Sequence, residues 1–309
     1  MDEVDGVIVS CAACSGSSQR TSCNNAFSEK GIVKVHWECW SACNLNCGFC
    51  FRTRGVPLEE EEAKLLLLAI AASGVTSIVF AGGDPTLRRD LPLLIAYSKQ
   101  LGLQVEVQTN AHYMPKSMAE LLSGENISLI GLSLDGASPN THDFLRSTRG
   151  NFDRVLGFLN ICRAAHKPVI MRTVVNKNNL YELADIGGII SKYDNVIRWS
   201  LLEFTSIGDG YANEEKFKVS RSAFSKAANY AASQFAGRAE VDIYYGEAKK
   251  GTYAMVTPDG HLYGTSYSAE GRYPLVGSLL RNHLSDLAAG LPFHSDNHHR
   301  RYGSPLKQN

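Results

Sequence analysis

The chain has 309 residues, 44% hydrophobic and 20% charged, and its 31 basic side chains balance 31 acidic ones. That length suits one large barrel-type domain or two average ones with a sizeable core, and the neutral balance gives no long-range pull toward nucleic acid or an anionic membrane. The apolar run LLLLAIAA at 65–72 falls far short of the roughly 20 residues that cross a bilayer, and the acidic start MDEVDG is unlike a signal peptide. A cytoplasmic protein with reduced thiols is therefore expected. Seven of its 8 cysteines lie in the first 50 residues, which places the expected metal or redox chemistry there.

Residues 1–30 are rich in Ser, Asn, Cys and Gly without sustained periodicity, and read as a flexible leader. From Gly31 onward strand and helix signals alternate. Strands are expected at 32–39, 76–82, 103–110, 128–135, 168–175 and 196–204. Helices are expected at 57–73, near 88–101, and at 115–123, 152–165 and 179–193. In the first of these, Pro57 lies at the start and an acidic run fills the first turn, where the helix dipole favours it. Short apolar strands alternating with helices predict a parallel sheet with right-handed crossovers. Six such units make an open, incomplete barrel or a doubly wound sheet. After Ser206 the pattern changes to a helix at 220–237 and a hairpin at 252–266 turning at Pro258-Asp259-Gly260. Residues 291–309 read as a polar tail.

The segment Cys43-Asn-Leu-Asn-Cys47-Gly-Phe-Cys50 follows directly on the first strand. Fe–S clusters usually take four cysteines, so a three-cysteine loop leaves one iron open to a small molecule. Zinc is the alternative. It usually asks for four ligands in paired knuckles, and Cys11 and Cys14 offer a partner pair. Cys11, Cys14 and Cys23 could bind zinc or help a second cluster, or be incidental thiols. Cys39 and Cys162 read as core residues. The C-x3-C-x2-C spacing, with an aromatic residue just before the last cysteine, resembles the radical S-adenosylmethionine (SAM) superfamily. The resemblance implies a [4Fe–4S] cluster on Cys43, Cys47 and Cys50, with SAM chelated at the open iron. Its cleavage would give a 5′-deoxyadenosyl radical that removes a hydrogen atom from the substrate, with an external one-electron donor such as flavodoxin or ferredoxin.

Further marks follow in order. Gly82-Gly83-Asp84-Pro85 ends the second strand and resembles the GGEP-type segment whose backbone receives the SAM amino group, with Asp84 where Glu is commoner. Gln108-Thr-Asn110, Ser133-Leu-Asp135-Gly136 and Arg146 before Gly150 resemble positions lining the SAM ribose and carboxylate. An arginine suits a carboxylate because its donors form a fixed fork, whereas Ser or Asn at a strand end is also a common helix cap. Asn176-Lys-Asn-Asn179 resembles a Val-Asn-x-x-Asn element of the family, or is an N-cap. The resemblance covers about residues 32–205. It implies an α/β fold, a partial (β/α)6 TIM-like radical SAM barrel at 31–206, followed by a small α+β C-terminal extension at 207–290.

Period-two alternation puts His36, Glu38 and Trp40 on one face of the first strand, leading toward Cys43. His36 and Glu38 are therefore the candidate catalytic residues. By the same alternation Arg172, Arg198 and, with a twist or bulge, Glu203 share an interior face. With Asn176 they are the candidate substrate contacts, mutual salt bridges being the alternative. CNLNCGFCFR resembles the viperin-like nucleotide-dehydrating members of the family, yet Ile170 and Ser200 stand where lysines would be expected around a triphosphate. Tyr253-Ala-Met-Val-Thr-Pro-Asp-Gly260 resembles instead the C-terminal extension of peptide- or sugar-modifying members. No cysteine follows Cys162, so that extension carries no auxiliary cluster. The reading is a hydrogen-abstracting enzyme acting on a sugar, amino sugar or nucleoside. A nucleotide dehydratase, a peptide modifier and a non-catalytic metal-binding scaffold remain as alternatives.

Overall fold

Strands that are apolar along their whole length are buried on both faces, and helices must cover one of those faces. The computed structural model, which describes residues 31–237, 239–246, 251–265, 271–291 and 294–302, arranges the chain in that way. The expected leader and its Cys11, Cys14 and Cys23 lie outside the described residues. In chain order come β1 (Lys34–Trp40), α1 (Glu60–Ala72), β2 (Ser77–Gly82), α2 (Leu91–Gln100), β3 (Gln104–Gln108), α3 (Lys116–Ser123) and β4 (Leu129–Ser133). Then follow α4 (Pro139–Arg146), α5 (Asn151–Ala164), β5 (Val169–Val175), α6 (Leu183–Ile190) and β6 (Val196–Glu203). Each of β1 to β6 pairs in parallel with the next, as the alternating pattern predicts.

Helix α1 illustrates the local logic. Glu59 and Glu62 form a reciprocal capping box, so the helix begins after Glu59 rather than at Pro57. Ala63, Leu66, Leu67 and Ile70 then make the buried stripe at helical spacing. Helix α4 has no sequence expectation behind it. It is short and polar, and buries only His142 and Leu145, too few positions to declare a period.

The same core fixes which way each strand faces. Val35, Trp37 and Cys39 of β1, Met171 and Val175 of β5, and Trp199 and Leu201 of β6 all belong to the main hydrophobic cluster under the helices. The alternate residues, among them His36, Glu38, Arg172, Arg198 and Ser200, therefore line the barrel interior. Cys162 is buried in α5, in line with the sequence reading of it and of Cys39 as core residues.

After β6 come α7 (Asp209–Ala212), α8 (Glu214–Phe217), α9 (Arg221–Gln234), β7 (Glu240–Tyr244), β8 (Ala254–Val256), β9 (His261–Gly264) and β10 (Leu275–Ser278). The expected hairpin is β8–β9, antiparallel, with Gly260 at φ +82° in its turn. These strands continue the barrel sheet on both flanks. β7 adds in parallel to β6, and β8 adds in parallel to β1. The full order is β10-β9-β8-β1-β2-β3-β4-β5-β6-β7, with β10 and β7 as the unjoined ends of an open barrel. Two helices close the described chain, α10 (Leu284–Ala288) and α11 (Ser295–Tyr302). The latter lies within the stretch that reads as a polar tail in sequence. Its His298 is fully buried and receives the Val33 and Lys34 N–H groups on Nε2 at 3.0 and 3.2 Å, which docks α11 at the start of β1.

Candidate active site

The loop after β1 carries Cys43, Cys47 and Cys50, all free thiols. The end of β2 is pressed onto it. The Gly83 N–H donates to the Trp40 carbonyl at 2.6 Å and the Asp84 N–H to the Ala42 carbonyl at 2.9 Å. A Cβ on Gly83 would overlap the Ala42 carbonyl, and one on Gly82, which sits at φ +121°, would overlap that of Trp40. Both glycines are thus needed for backbone-to-backbone approach. Pro85 then opens a single 3-10 turn.

Polar groups are aimed at the sulfurs. The Leu45 N–H and Asn110 Nδ2 reach Cys43 Sγ at 3.4 and 3.5 Å, and Arg146 Nη1 reaches Cys47 Sγ at 3.9 Å. Phe49, Leu145, Phe204 and Phe217 pack as a second apolar cluster against Cys47, shielding it from water. Burial pushes the Cys50 thiol up to about 11 and raises that of Cys47, whose rise the Arg146 guanidinium opposes. Among the described residues no three His, Cys, Asp or Glu side chains close on one ion. A cubane does not ask for that, since each cysteine binds a different iron.

The ends of β2, β3 and β4 form the adjoining wall. Asp84 is 1% exposed and ties that wall together. It accepts from the Thr86 N–H and hydroxyl, the Thr109 hydroxyl and the Asn110 N–H. Its carboxylate is thus engaged inside the protein rather than turned to a cofactor. Asn110 also donates to Asn44 Oδ1 at 2.9 Å, bracing the cysteine loop from β3. Ser133 ends β4, half-buried, beside Arg172 of β5. Asp135 is fully buried and forms an ion pair with Arg146, while its Oδ1 accepts the Val174 N–H at 2.7 Å. Helix α4, unforeseen in sequence, is what carries Arg146 to this pair.

Further into the barrel, His36 and Glu38 share a face as expected. Glu38 accepts from the Thr53 N–H at 3.0 Å and from the Thr53 hydroxyl, with Tyr263 of β9 close by. Its present contacts therefore fasten the irregular segment that leaves the cysteine loop at Thr53. His36 Nε2 lies 3.2 Å from Tyr302 Oη and Nδ1 lies 3.5 Å from Gln108 Nε2. Burial, reinforced by Lys34, Arg172 and Arg301, holds the imidazole well below its ordinary range and so neutral.

The remaining expected substrate contacts divide. Arg198 pairs with Asp242 at 3.1 Å and Glu240 at 3.2 Å across β6–β7. Glu203 accepts the Gly246 N–H at 2.6 Å and lies 3.5 Å from Arg221. Asn176 closes the turn after β5 through Val174, Asn178 and Asn179. Arg198 and Glu203 are thus in salt bridges, though with Asp242, Glu240 and Arg221 rather than with each other, and Asn176 braces a turn instead of capping the next helix, whose N-cap is Glu182. Arg172 is different: among the described residues no carboxylate pairs with it. Thr53, Tyr263, Arg301 and Tyr302 join the site without any local sequence signal, since each meets its partner across a long stretch of chain.

Glu38 also predicts a pH dependence. Burial raises its carboxyl from 4.5 to about 7, against the pull of its Thr53 hydrogen bonds. Between those values the folded protein keeps a proton that the unfolded chain has released. Stability should therefore fall as pH rises from about 4.5 to about 7, by at most on the order of 3 kcal/mol. Urea titrations across that range should show the fall in wild type and its absence in Glu38→Gln.

The Radical SAM superfamily model matches residues 37–186. Fe-coproporphyrin III synthase of Methanosarcina barkeri is 33% identical over 171 residues, covering 54% of this chain and 43% of that protein. The S-adenosylmethionine-dependent nucleotide dehydratase of Lacinutrix mariniflava is 29% identical over 267 residues, covering 78% of this chain and 52% of that protein. The chain thus spans about half the length of these curated relatives. Among solved structures, Streptococcus suis SuiB bound to S-adenosylmethionine superposes with a TM-score of 0.67 at 15% identity, over 90% of this chain and 69% of that one. Residues 37–186 thus belong to the radical SAM superfamily.

The residues present fit the iron–sulfur cluster and SAM that this family implies. Among the described residues the thiols are unpaired, and Arg146 Nε and Asn44 Nδ2 are buried at the cysteine loop without a hydrogen-bond partner. Among the described residues, no helix is long and apolar enough to cross a membrane.

Proposed function

We propose that Cys43, Cys47 and Cys50 hold a [4Fe–4S] cluster, and that the enzyme cleaves SAM reductively there to abstract a hydrogen atom from a sugar, amino sugar or nucleoside. The observation that carries this is the three-thiol loop clamped by Gly82 and Gly83, with Asn110 and Arg146 donating toward its sulfurs. When bound, the cluster supplies the electron that opens a C–S bond of SAM. SAM would lie along the ends of β2, β3 and β4, at Gly82, Gly83, Pro85, Asn110, Ser133, Asp135 and Arg146. There the glycine backbone and the Arg146 fork orient it, and the Phe49 and Phe204 side excludes water. Asp84 and Glu38 act as positioning residues, one fixing the wall and the other the loop at Thr53. Neutral His36 can accept or donate one hydrogen bond inside the barrel, a means of orienting a polar substrate. A cytoplasmic flavodoxin or ferredoxin would supply the electron.

A nucleotide-dehydrating reaction is the second reading, favoured by the 78% coverage of this chain in the Lacinutrix match. Ile170 and Ser200, both facing the interior, weigh against it. Anaerobic reconstitution followed by a mass-spectrometric screen for 5′-deoxyadenosine with pools of sugars, nucleotides and peptides tests both. Stimulation by sugars or nucleosides is the expected result. A nucleoside triphosphate stimulating far above them would put dehydration first, and no cleavage of SAM would leave only a metal-binding scaffold.

A further inference from the structure

Two guanidinium groups inside the barrel have no carboxylate partner among the described residues. Arg172 lies over Gly131 of β4, so close that a Cβ there would overlap its Nη1. Arg301 enters from α11. Its guanidinium is 3.8 Å from the Tyr244 ring centroid and 4.9 Å from that of Tyr253, and its Nε donates to Tyr302 Oη at 2.9 Å. Its Nη1 is buried with no hydrogen-bond partner. The two groups act on each other electrostatically, and both act on His36.

The counter-charges nearby are engaged elsewhere. Glu106 is ion-paired with Lys34, and Asp242 with Arg198. His36 is neutral and adds no charge. Among the described residues, Lys34, Arg172 and Arg301 act on His36, and the one carboxylate that acts on Arg172 is Glu106, which is already paired with Lys34. The tyrosine rings attract Arg301 through their faces, but a ring face leaves the outward N–H of Nη1 unanswered. Half-buried cations without an anion are unfavourable, and most so at the buried Nη1 of Arg301; such an arrangement is found where a site is made for a ligand.

We propose that Arg172 and Arg301 form an anion site that takes the carboxylate or phosphate group of the small-molecule substrate. Two planar forks suit an oxyanion, which accepts paired N–H donors. Because it names the substrate class of the proposed radical reaction, the site rests on that reading. It also gives α11 a role in the site, so that the end of the described chain completes a pocket begun on β1 and β5.

The test uses the full reconstituted protein, with inorganic phosphate and acetate as probes and chloride as the control at constant ionic strength. Phosphate or acetate should raise the melting temperature of wild type where chloride does not. Response to phosphate alone assigns a phosphorylated substrate, and response to acetate alone a carboxylated one. In Arg172→Met and Arg301→Met the affinity for that oxyanion should fall about ten- to a hundredfold, while melting without oxyanion should rise, since an unpaired buried charge has gone. Arg172→Lys and Arg301→Lys, which keep the charge, should retain part of the response and serve if a methionine variant does not fold. No oxyanion effect on wild type, or an equal effect on the variants, overturns the site. Slow SAM cleavage by wild type without substrate is measured in parallel. Its absence would bring down the radical reading separately, whatever the anion titration shows.

Discussion

Alanine at Cys43, Cys47 or Cys50 is expected to abolish both iron binding and SAM cleavage. Wild type reconstituted without oxygen should hold about four irons and four sulfides per chain, the content of one [4Fe–4S] cluster. Each variant should hold under about a tenth of that and give no 5′-deoxyadenosine above background. The effect is complete because each thiolate anchors a different iron, and the loop offers no fourth sulfur to substitute. Cys39→Ala and Cys162→Ala should keep the cluster, since both thiols are buried in the helix-covered core, where burial pushes each up to about 12. Iron and sulfide analysis with visible absorption checks both sets. A stoichiometric zinc ion in place of iron would sink the assignment, and about eight irons would bring in Cys11, Cys14 and Cys23 as ligands.

Arg146→Ala should have the largest effect on stability among the SAM-wall residues. It strips the fully buried Asp135 carboxylate of its ion-pair partner and removes the donor to Cys47. Breaking a buried pair from one side leaves an uncompensated charge, which costs about 3–5 kcal/mol. Chemical denaturation of the cluster-free protein isolates that term. Combining Arg146→Ala with Asp135→Asn should cost less than the sum of the two single changes, since the second removes the charge that the first exposes. The family resemblance alone leads elsewhere, to an intact cluster and weaker SAM binding. A variant with unchanged stability that loses about 1.5–3 kcal/mol in SAM affinity would return Arg146 to a purely cofactor-binding role.

Arg146 shows where reading from sequence stops. Its type and its place before Gly150 are visible in the chain. That it pairs with Asp135 depends on α4, eight mostly polar residues of which only His142 and Leu145 are buried. Glu38 is similar. The alternation of β1 correctly puts it on the interior face with His36, yet its hydrogen-bond partner Thr53 follows the cysteine loop and its neighbour Tyr263 comes from β9. Asp84 reads as part of a cofactor-binding turn, and only the convergence of β2 and β3 reveals that Thr86, Thr109 and Asn110 surround it.

The strand–helix alternation, the inward face of β1, the cysteine loop and the hairpin at Pro258-Asp259-Gly260 are all legible in the order of the residues. These are local properties: hydrophobic period, turn chemistry and ligand spacing are each written in a few neighbouring residues. The tertiary structure alone decided that the extension continues the barrel sheet, with Val35 registered against Ala254, and that a polar-looking end docks through His298. It also decided that Arg198, Glu203 and Asn176 meet structural partners while Arg172 and Arg301 are left facing the same interior. Such pairings join residues far apart in the chain. A polar side chain looks the same in sequence whether its partner is a neighbouring strand, a distant helix or a ligand, and only the burial and distance set by folding distinguish the three.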